Sequence, residues 1–240
     1  ILRLKKLVHE YNPSAILLQG ESGCPSQLEY NHALCYHKWT EYSQVKWILR
    51  RMLCDFSLDV PSSIFTMVDL QYDFMLQSFG LVRMNLLKEP VYKRPSFYAV
   101  SHAVSLLNSE TEPFSGVGVK ESKGTEIKSV GIAKGGKCVA VAYWRGDDKP
   151  SDILDKDKVN ALIQGVVFEN PALVDPITGR VYDLSYVMLR GGQQRLENAT
   201  KFTGLPLWDS PLIIIEKNAF DWTACQLPEG YVPFVDHVGI

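Results

Sequence analysis

The sequence predicts an α/β segment over residues 1–110, followed by an all-β segment over residues 111–240. Two short apolar runs carry the first part: Ala15-Ile16-Leu17-Leu18 and Ile64-Phe65-Thr66-Met67-Val68, with a helix-period stretch between them. Strands that are apolar on both faces and alternate with helices imply a parallel sheet with helical crossovers. The second part shows several short strand-like runs separated by Gly- and Pro-marked turns, the rhythm of an antiparallel β-sandwich. Of the 240 residues, 46% are hydrophobic and 22% charged. These are ordinary values for a folded chain and exclude disordered and collagen-like classes.

The elements follow in order. Leu4, Leu7, Val8 and Tyr11 recur at helical spacing, and Asn12-Pro13 stops that helix. Residues 14–19 hold the first buried-strand run, bounded by Pro13 and Gly20. A polar and aromatic loop spans residues 21–40. Val45, Ile48, Leu49, Met52, Leu53 and Phe56 mark one face of the next helix. Lys46, Arg50 and Arg51 lie on its polar face, and Ser43 is the expected cap. Residues 64–68 form the second strand, and residues 69–94 read as a long loop. Pro95 suits the first turn of a helix running to Leu107. Two strands do not complete a parallel sheet, so this half reads as an incomplete barrel or sheet whose other strands precede residue 1. The absence of a Met at position 1 agrees with that expectation.

Beyond a boundary at residues 108–113, strands are expected at residues 126–130, 138–144, 161–168, 181–189 and 211–216. Turn signals stand at Lys134-Gly135-Gly136-Lys137, Arg145-Gly146-Asp147-Asp148 and Asp175-Pro176-Ile177-Thr178-Gly179.

Several function classes find no support. A formal net charge of -2 gives no bulk drive toward nucleic acid or acidic membranes. The run Leu212-Ile213-Ile214-Ile215 is far too short to cross a bilayer. No basic stretch followed by an apolar one opens the chain, so no signal peptide is legible. The five cysteines, Cys24, Cys35, Cys54, Cys138 and Cys225, form no C-x-x-C pair and read as buried free thiols. No cofactor is expected. No metal is expected either: His32 and His37 are too loosely spaced, and Asp147, Asp148, Asp152, Asp155 and Asp157 lack calcium-loop spacing.

The chemistry-bearing candidate is Gln19-Gly20-Glu21-Ser22-Gly23. A carboxylate at the carboxyl end of a buried parallel strand stands where such folds build active sites. Glu21 is ionised at neutral pH and suits a nucleophile or general base. The alternative is a solvated loop glutamate between two turn glycines. Asp69, Tyr72 and Asp73 follow the second strand and read as a ligand contact or as ordinary strand-end acids. The segment with Tyr30, Asn31, His32, Cys35, Tyr36, His37 and Trp39 combines aromatic and imidazole groups suited to sugar stacking. Cys24 has no base paired with it and is not expected to be a nucleophile. Tyr143, Trp144, Tyr182, Tyr186 and Trp208 fit a core better than a sugar-binding strip.

The stretch Ile16-Leu17-Leu18-Gln19-Gly20-Glu21-Ser22-Gly23, with Trp39-Thr40-Glu41-Tyr42-Ser43-Gln44-Val45-Lys46-Trp47-Ile48, resembles the end of a clan A glycoside hydrolase barrel. Ser63-Ile64-Phe65-Thr66-Met67-Val68-Asp69-Leu70 resembles its last strand. Gly80-Leu81-Val82 and Lys93-Arg94-Pro95-Ser96-Phe97-Tyr98-Ala99-Val100 resemble its closing loop and helix. Pro171-Ala172-Leu173-Val174-Asp175-Pro176 and Leu205-Pro206-Leu207-Trp208-Asp209-Ser210 are similar to the β-sandwich appended to such barrels. The resemblance implies that residues 16–19 and 64–68 are strands seven and eight of a (β/α)8 barrel, with Glu21 as nucleophile. It implies a carbohydrate substrate, with Gln19, Asp69, Tyr72, His37 and Trp39 as candidate contacts. A secreted or periplasmic location is compatible with it. The family's acid/base Glu ends strand four, which this chain lacks. The chain is therefore expected to be a fragment without full activity.

Two other readings compete. A serine carbohydrate esterase shares the Gln-Gly-Glu tripeptide but needs a Ser block and a distant Asp-x-x-His, neither of which is present; Asp236-His237 is adjacent. A carbohydrate-binding or structural protein that lost its chemistry is the non-enzymatic reading. Upstream sequence separates them: an Asn-Glu pair at a strand end, a Ser block, or neither.

Overall fold

The computed structural model of the chain describes residues 1–28, 36–73, 75–121, 124–146, 149–154, 156–184 and 193–220. Helix α1 (Leu2–Tyr11) forms where the apolar spacing predicts it and ends at Asn12, whose extended backbone donates its N–H to the Val8 carbonyl. Strand β1 (Gln19–Ser22) follows. Helix α2 (Glu41–Ser57) begins in a capping box: Thr40 accepts the Ser43 N–H, and the Ser43 hydroxyl accepts the Thr40 N–H. The cap is thus Thr40, and the expected Ser43 is its partner one turn in. Strand β2 (Ser62–Ile64) pairs with β1 in parallel.

The alternation of helix and strand is as the sequence predicts, but the strands are displaced. Neither apolar run is itself the ladder, and Ile16, Leu18 and Met67 are 81%, 61% and 58% exposed. The reason is topological. The β1–β2 pair is a two-stranded sheet, so among the described residues no further strand covers these side chains. No residue of α1 is buried; Lys5 ties it down, its Nζ donating to the Leu58 and Asp59 carbonyls at 2.9 and 2.8 Å.

Residues 69–94, expected as a loop, fold into two antiparallel hairpins. Strand β3 (Leu70–Tyr72) pairs with β4 (Met75–Gln77), and β5 (Val82–Met84) with β6 (Pro90–Lys93). Strands of three or four residues leave too little sequence for an alternating pattern to be read. Helix α3 (Pro95–Leu106) starts on Pro95, as predicted.

Among the described residues ten antiparallel strands follow: β7 (Glu112–Phe114), β8 (Gly118–Glu121), β9 (Ile127–Lys134), β10 (Lys137–Arg145), β11 (Asp157–Gln164), β12 (Pro171–Asp175), β13 (Arg180–Asp183), β14 (Gln193–Leu196), β15 (Ala199–Leu207) and β16 (Leu212–Glu216). They make a six-stranded sheet in the order β13-β12-β16-β10-β9-β7 and a four-stranded sheet β14-β15-β11-β8. Gly135 and Gly136, with φ of 55° and 75°, close the β9–β10 hairpin in two residues, a turn that demands left-handed backbone at both central positions. The strand expected at 161–168 ends at Gln164. That expected at 181–189 ends at Asp183, and residues 185–189 lie outside the described residues.

Side chains on the central strands alternate between two clusters. Val141, Tyr143, Leu173, Leu212 and Ile214 share an apolar core with Val159, Ala161, Ile163, Phe202, Leu205 and Leu207 of the smaller sheet. Ala140, Ala142, Trp144, Ala172, Val174, Ile213 and Ile215 pack in a second cluster with Leu53 of α2 and Leu106 of α3. The six-stranded sheet is therefore covered on both faces, which accounts for the unbroken apolar run at residues 212–215. Each fully buried Leu or Ile there contributes roughly 1.5–3 kcal/mol. Tyr143, Trp144 and Trp208 are core residues, as expected; Tyr182 is 38% exposed, and Tyr186 lies outside the described residues. Cys24 and Cys138 are buried free thiols, whereas Cys54 is exposed; Cys35 and Cys225 lie outside the described residues.

The expected polar face of α2 is corrected. Lys46 is fully buried and Arg50 nearly so, because this face is the seam with the sheets. Lys46 Nζ donates to Asp209 Oδ1 at 2.6 Å and to the carbonyls of Ser151 and Ile153 at 3.0 and 2.5 Å. It also lies 5.1 Å from the Trp208 ring centroid. Asp209 Oδ2 accepts from the Ser151 N–H and hydroxyl, both at 2.7 Å, and Arg50 donates to the Asp209 carbonyl. Burial lowers the Lys46 pKa and outweighs the opposing pull of Asp209. Burial also works against the Asp209 carboxylate, but its bonds from Lys46 and Ser151 prevail and hold its pKa below the ordinary value.

Three outcomes are expected. Lys46→Ala strands a buried carboxylate and should cost roughly 3–5 kcal/mol in urea unfolding; replacing Lys46 and Asp209 together by apolar residues should cost much less. Asp209 has a depressed folded pKa, so its contribution is present above its unfolded pKa and lost as pH falls through the folded value. The stability gap between wild type and Asp209→Asn should therefore shrink in acid. Lys46, whose folded pKa is also depressed, has the same sign in a more alkaline window: its penalty as a buried cation is relieved as pH rises toward its unfolded pKa. Finally, a Cβ at Gly23 would stand 1.8 Å from the Phe65 carbonyl oxygen, whereas one at Gly20 meets nothing within 4 Å. Gly23→Ala should destabilise by about 2 kcal/mol or more, and Gly20→Ala by less than about 0.5 kcal/mol, in the same assay.

Candidate functional site at the β1 strand end

The β1–β2 ladder is short and irregular. Gln19 pairs with Ser62 and Ser22 with Ile64, so three steps on β1 match two on β2. The surplus residue is a bulge at Gly20-Glu21, and bulges bend a strand and re-aim its side chains. Glu21 is exposed, and its carboxylate holds no hydrogen bond or ion pair among the described residues. Gln19 is half-buried and donates its side-chain amide to the Glu21 carbonyl at 2.7 Å, bracing the bulge. Past the bulge, Ser22 turns inward, and its carbonyl accepts the Phe65 N–H at 3.0 Å. The close approach of Gly23 to Phe65 then fixes where the two chains leave their strands.

The loops beyond these strand ends are stitched by a buried amide that sequence reasoning missed. Gln44, on α2, donates to the carbonyls of Cys24 and Phe79 at 3.2 and 3.4 Å and accepts the Ser96 hydroxyl of α3 at 2.9 Å. Both the N–H and the hydroxyl of Ser26 reach the Ser78 carbonyl. A lone Gln on a helix face carries no pattern; only its polar neighbour Ser43 marked the region. Burial raises the Cys24 thiol well above its ordinary pKa, so no thiolate forms beside Glu21 at neutral pH.

Asp69 is corrected from a sugar contact to an internal anchor. Its side chain is fully buried. It accepts both terminal nitrogens of Arg94 at 2.7 and 2.9 Å and the N–H groups of Gly80 and Met84 at 3.0 and 3.1 Å. Those bonds occupy both oxygens and leave none directed at a ligand. Burial works against the Arg94 charge, yet Asp69 and Glu41 raise its pKa. Tyr92 donates to the same Glu41 at 2.6 Å.

Trp39 is corrected likewise. It is 5% exposed and packs with Cys24, Ile48 and Leu81, so its faces belong to the core and form no stacking platform. His37 meets the Trp39 ring edge-on at 4.6 Å, and its Nε2 lies 3.0 Å from the Pro150 carbonyl, tying this loop to the second half. Tyr72, on the β3–β4 hairpin, is 43% exposed. Residues 30–35, with Asn31 and His32, lie outside the described residues. Among the described residues no cluster of His, Cys, Asp and Glu suits a metal ion.

No protein-family model and no curated protein matches the sequence. Among solved structures, the chain is similar to a family 39 glycoside hydrolase from the gut symbiont Bacteroides cellulosilyticus WH2, with a TM-score of 0.57 and 14% sequence identity. The likeness covers 89% of this chain and 37% of that one, so the chain spans little more than a third of its neighbour's length. At that identity the likeness is one of architecture: the chain has a glycoside hydrolase-like fold.

Proposed function

We propose that the chain is the C-terminal part of a retaining glycoside hydrolase, with β1 and β2 as the last two strands of a (β/α)8 barrel, the two antiparallel sheets as its appended β-sandwich, and Glu21 as nucleophile. The observation that carries this reading is the exposed Glu21 carboxylate, unpaired among the described residues and raised by a bulge at the end of a parallel strand. Three facts support it. A two-stranded parallel ladder whose β1 edge has no strand partner among the described residues is not stable alone and calls for further strands. Leu2, Leu4 and Leu7 of α1, with Ile16 and Leu18, present apolar surface that such strands and helices would cover. The fold is similar to part of a longer glycoside hydrolase chain.

In this mechanism Glu21 attacks the anomeric carbon as a second carboxylic acid protonates the leaving oxygen. The glycosyl ester on Glu21 is then cleaved by water that the second group, now a carboxylate, deprotonates. The two carboxyl groups must stand about 5 Å apart. The second carboxyl is assigned to an upstream strand of the longer polypeptide. Gln19 and Tyr72 are the candidate contacts to sugar hydroxyls. Asp69 and Arg94 act indirectly by fixing the loops that follow β2.

Residues 1–240 alone are expected to show no turnover of aryl glycosides. A polypeptide extended by its upstream coding region is expected to hydrolyse them, and Glu21→Gln in that polypeptide should lower kcat by about 10³-fold or more. Full activity of the variant would remove Glu21 from the mechanism.

A further inference from the structure

The outer face of the four-stranded sheet carries positive charge that nothing among the described residues neutralises. Strand alternation sends Val119, Val159, Ala161, Ile163, Phe202 and Leu205 inward to the apolar core. The opposite face presents Lys120 of β8, Lys158 of β11 and Lys201 of β15, all exposed. None of the three holds a hydrogen bond or ion pair among the described residues. The nearby acids are engaged or marginal. Asp157 has the inward alternation of β11 and accepts Arg145 Nη1 at 3.2 Å, and Glu121 Oε1 accepts the Thr125 N–H. Glu197 lies in the β14–β15 turn at the rim. No outward position on these four strands is acidic, in a chain whose net charge is -2.

The register fixes the spacing. Lys120 and Lys201 both pair with Leu162, so they lie two strands apart, about 10 Å. Lys158 lies four residues along β11 from Leu162, about 13 Å away. A lysine on an edge strand guards that edge, which accounts for Lys120 on β8. Lys158 and Lys201 stand on the two central strands, where no edge needs guarding and gathered like charge works against the sheet. Gln164, Gln194 and Thr203 are exposed on the same strands and add amide and hydroxyl groups, while Asn160 Oδ1 is taken by the Gly204 N–H at 3.2 Å. A bilayer needs apolar side chains that reach its acyl boundary, and here Leu162 is half-buried and Leu196 stands alone beside the turn. Single-stranded nucleic acid needs aromatic platforms, and no outward position is aromatic. We propose that this face binds an acidic polysaccharide, whose carboxylates pair with Lys120, Lys158 and Lys201 and whose hydroxyls meet Gln164, Gln194 and Thr203. The choice of a carbohydrate rests on the glycoside hydrolase reading; the unpaired charge does not.

Affinity gel electrophoresis of the 240-residue chain tests it, with polygalacturonate, its methyl-esterified neutral form, or double-stranded DNA cast in the gel. Polygalacturonate should retard the chain, the neutral form should not, and added salt should weaken the retardation. Replacing Lys120, Lys158 and Lys201 together by Ala should weaken binding at least ~10-fold, whereas replacing all three by Arg should retain it. Both variants should keep the wild-type thermal unfolding midpoint, because the substituted side chains are exposed. The assay needs no turnover, so it reads this face whether or not Glu21 proves to be a nucleophile. The proposal is overturned if polygalacturonate leaves wild type unretarded, or if the triple Ala variant is retarded as wild type is. Equal retardation by DNA, which marks a general contact with polyanions, also overturns it.

Discussion

Two parallel strands share one short ladder, and past its end the second segment makes a single further parallel bridge, Val68 with Val82, while β1 has no other strand partner among the described residues. That constraint governs the first half of the molecule. It sets Glu21 at a strand end, because the bulge that absorbs the mismatch with β2 falls at Gly20-Glu21. It leaves Ile16, Leu18 and Met67 in solvent, where a wider sheet would bury them. Parallel strands need crossovers and cover on both faces, so an isolated pair owes its persistence to whatever packs around it. Here that is α2, α3 and the loops that Gln44 and Arg94 fasten to them.

The second half supplies the mass behind that pair. The six-stranded sheet is apolar on both faces: the smaller sheet packs in one cluster with it, and helix residues enter both clusters, Val45, Leu49, Ala99 and Ala103 the first and Leu53 and Leu106 the second. The seam is closed by a buried ion pair, Lys46 with Asp209, which Ser151 and the carbonyls around it fully solvate. Such a pair adds little net stability compared with apolar residues of similar size, but it tolerates few alternative arrangements of its partners. The strand-end loops rest on α2, and α2 is registered to the sheets through Lys46, so the position of Glu21 is mechanically tied to a residue pair that bridges the two halves.

Much of this was legible in the residues, and what was not has physical causes. Both later helices were readable from periodicity and caps, and the β9–β10 turn from its paired glycines. Glu21 stood out because it follows an apolar run. The hairpins of residues 69–94 were hidden by their brevity. Lys46 read as solvated because a lone buried lysine looks like a surface lysine until its partner, 163 residues away, is known. Asp69 and Trp39 suit ligand contacts by sequence, because acids and aromatics in loops fit sugars. The same groups also suit an internal salt bridge and a core, and nothing in the order of residues distinguishes the two. Gln44, which joins three elements, offers no pattern at all.

The central claim is that Glu21 forms a covalent bond to a sugar. A fluorinated glycoside that stalls the glycosyl-enzyme, incubated with the polypeptide extended upstream, tests it by peptide mass spectrometry. The account predicts a sugar ester on the peptide that contains Glu21. A label on another carboxylate, or an active enzyme that takes up no label, would contradict it.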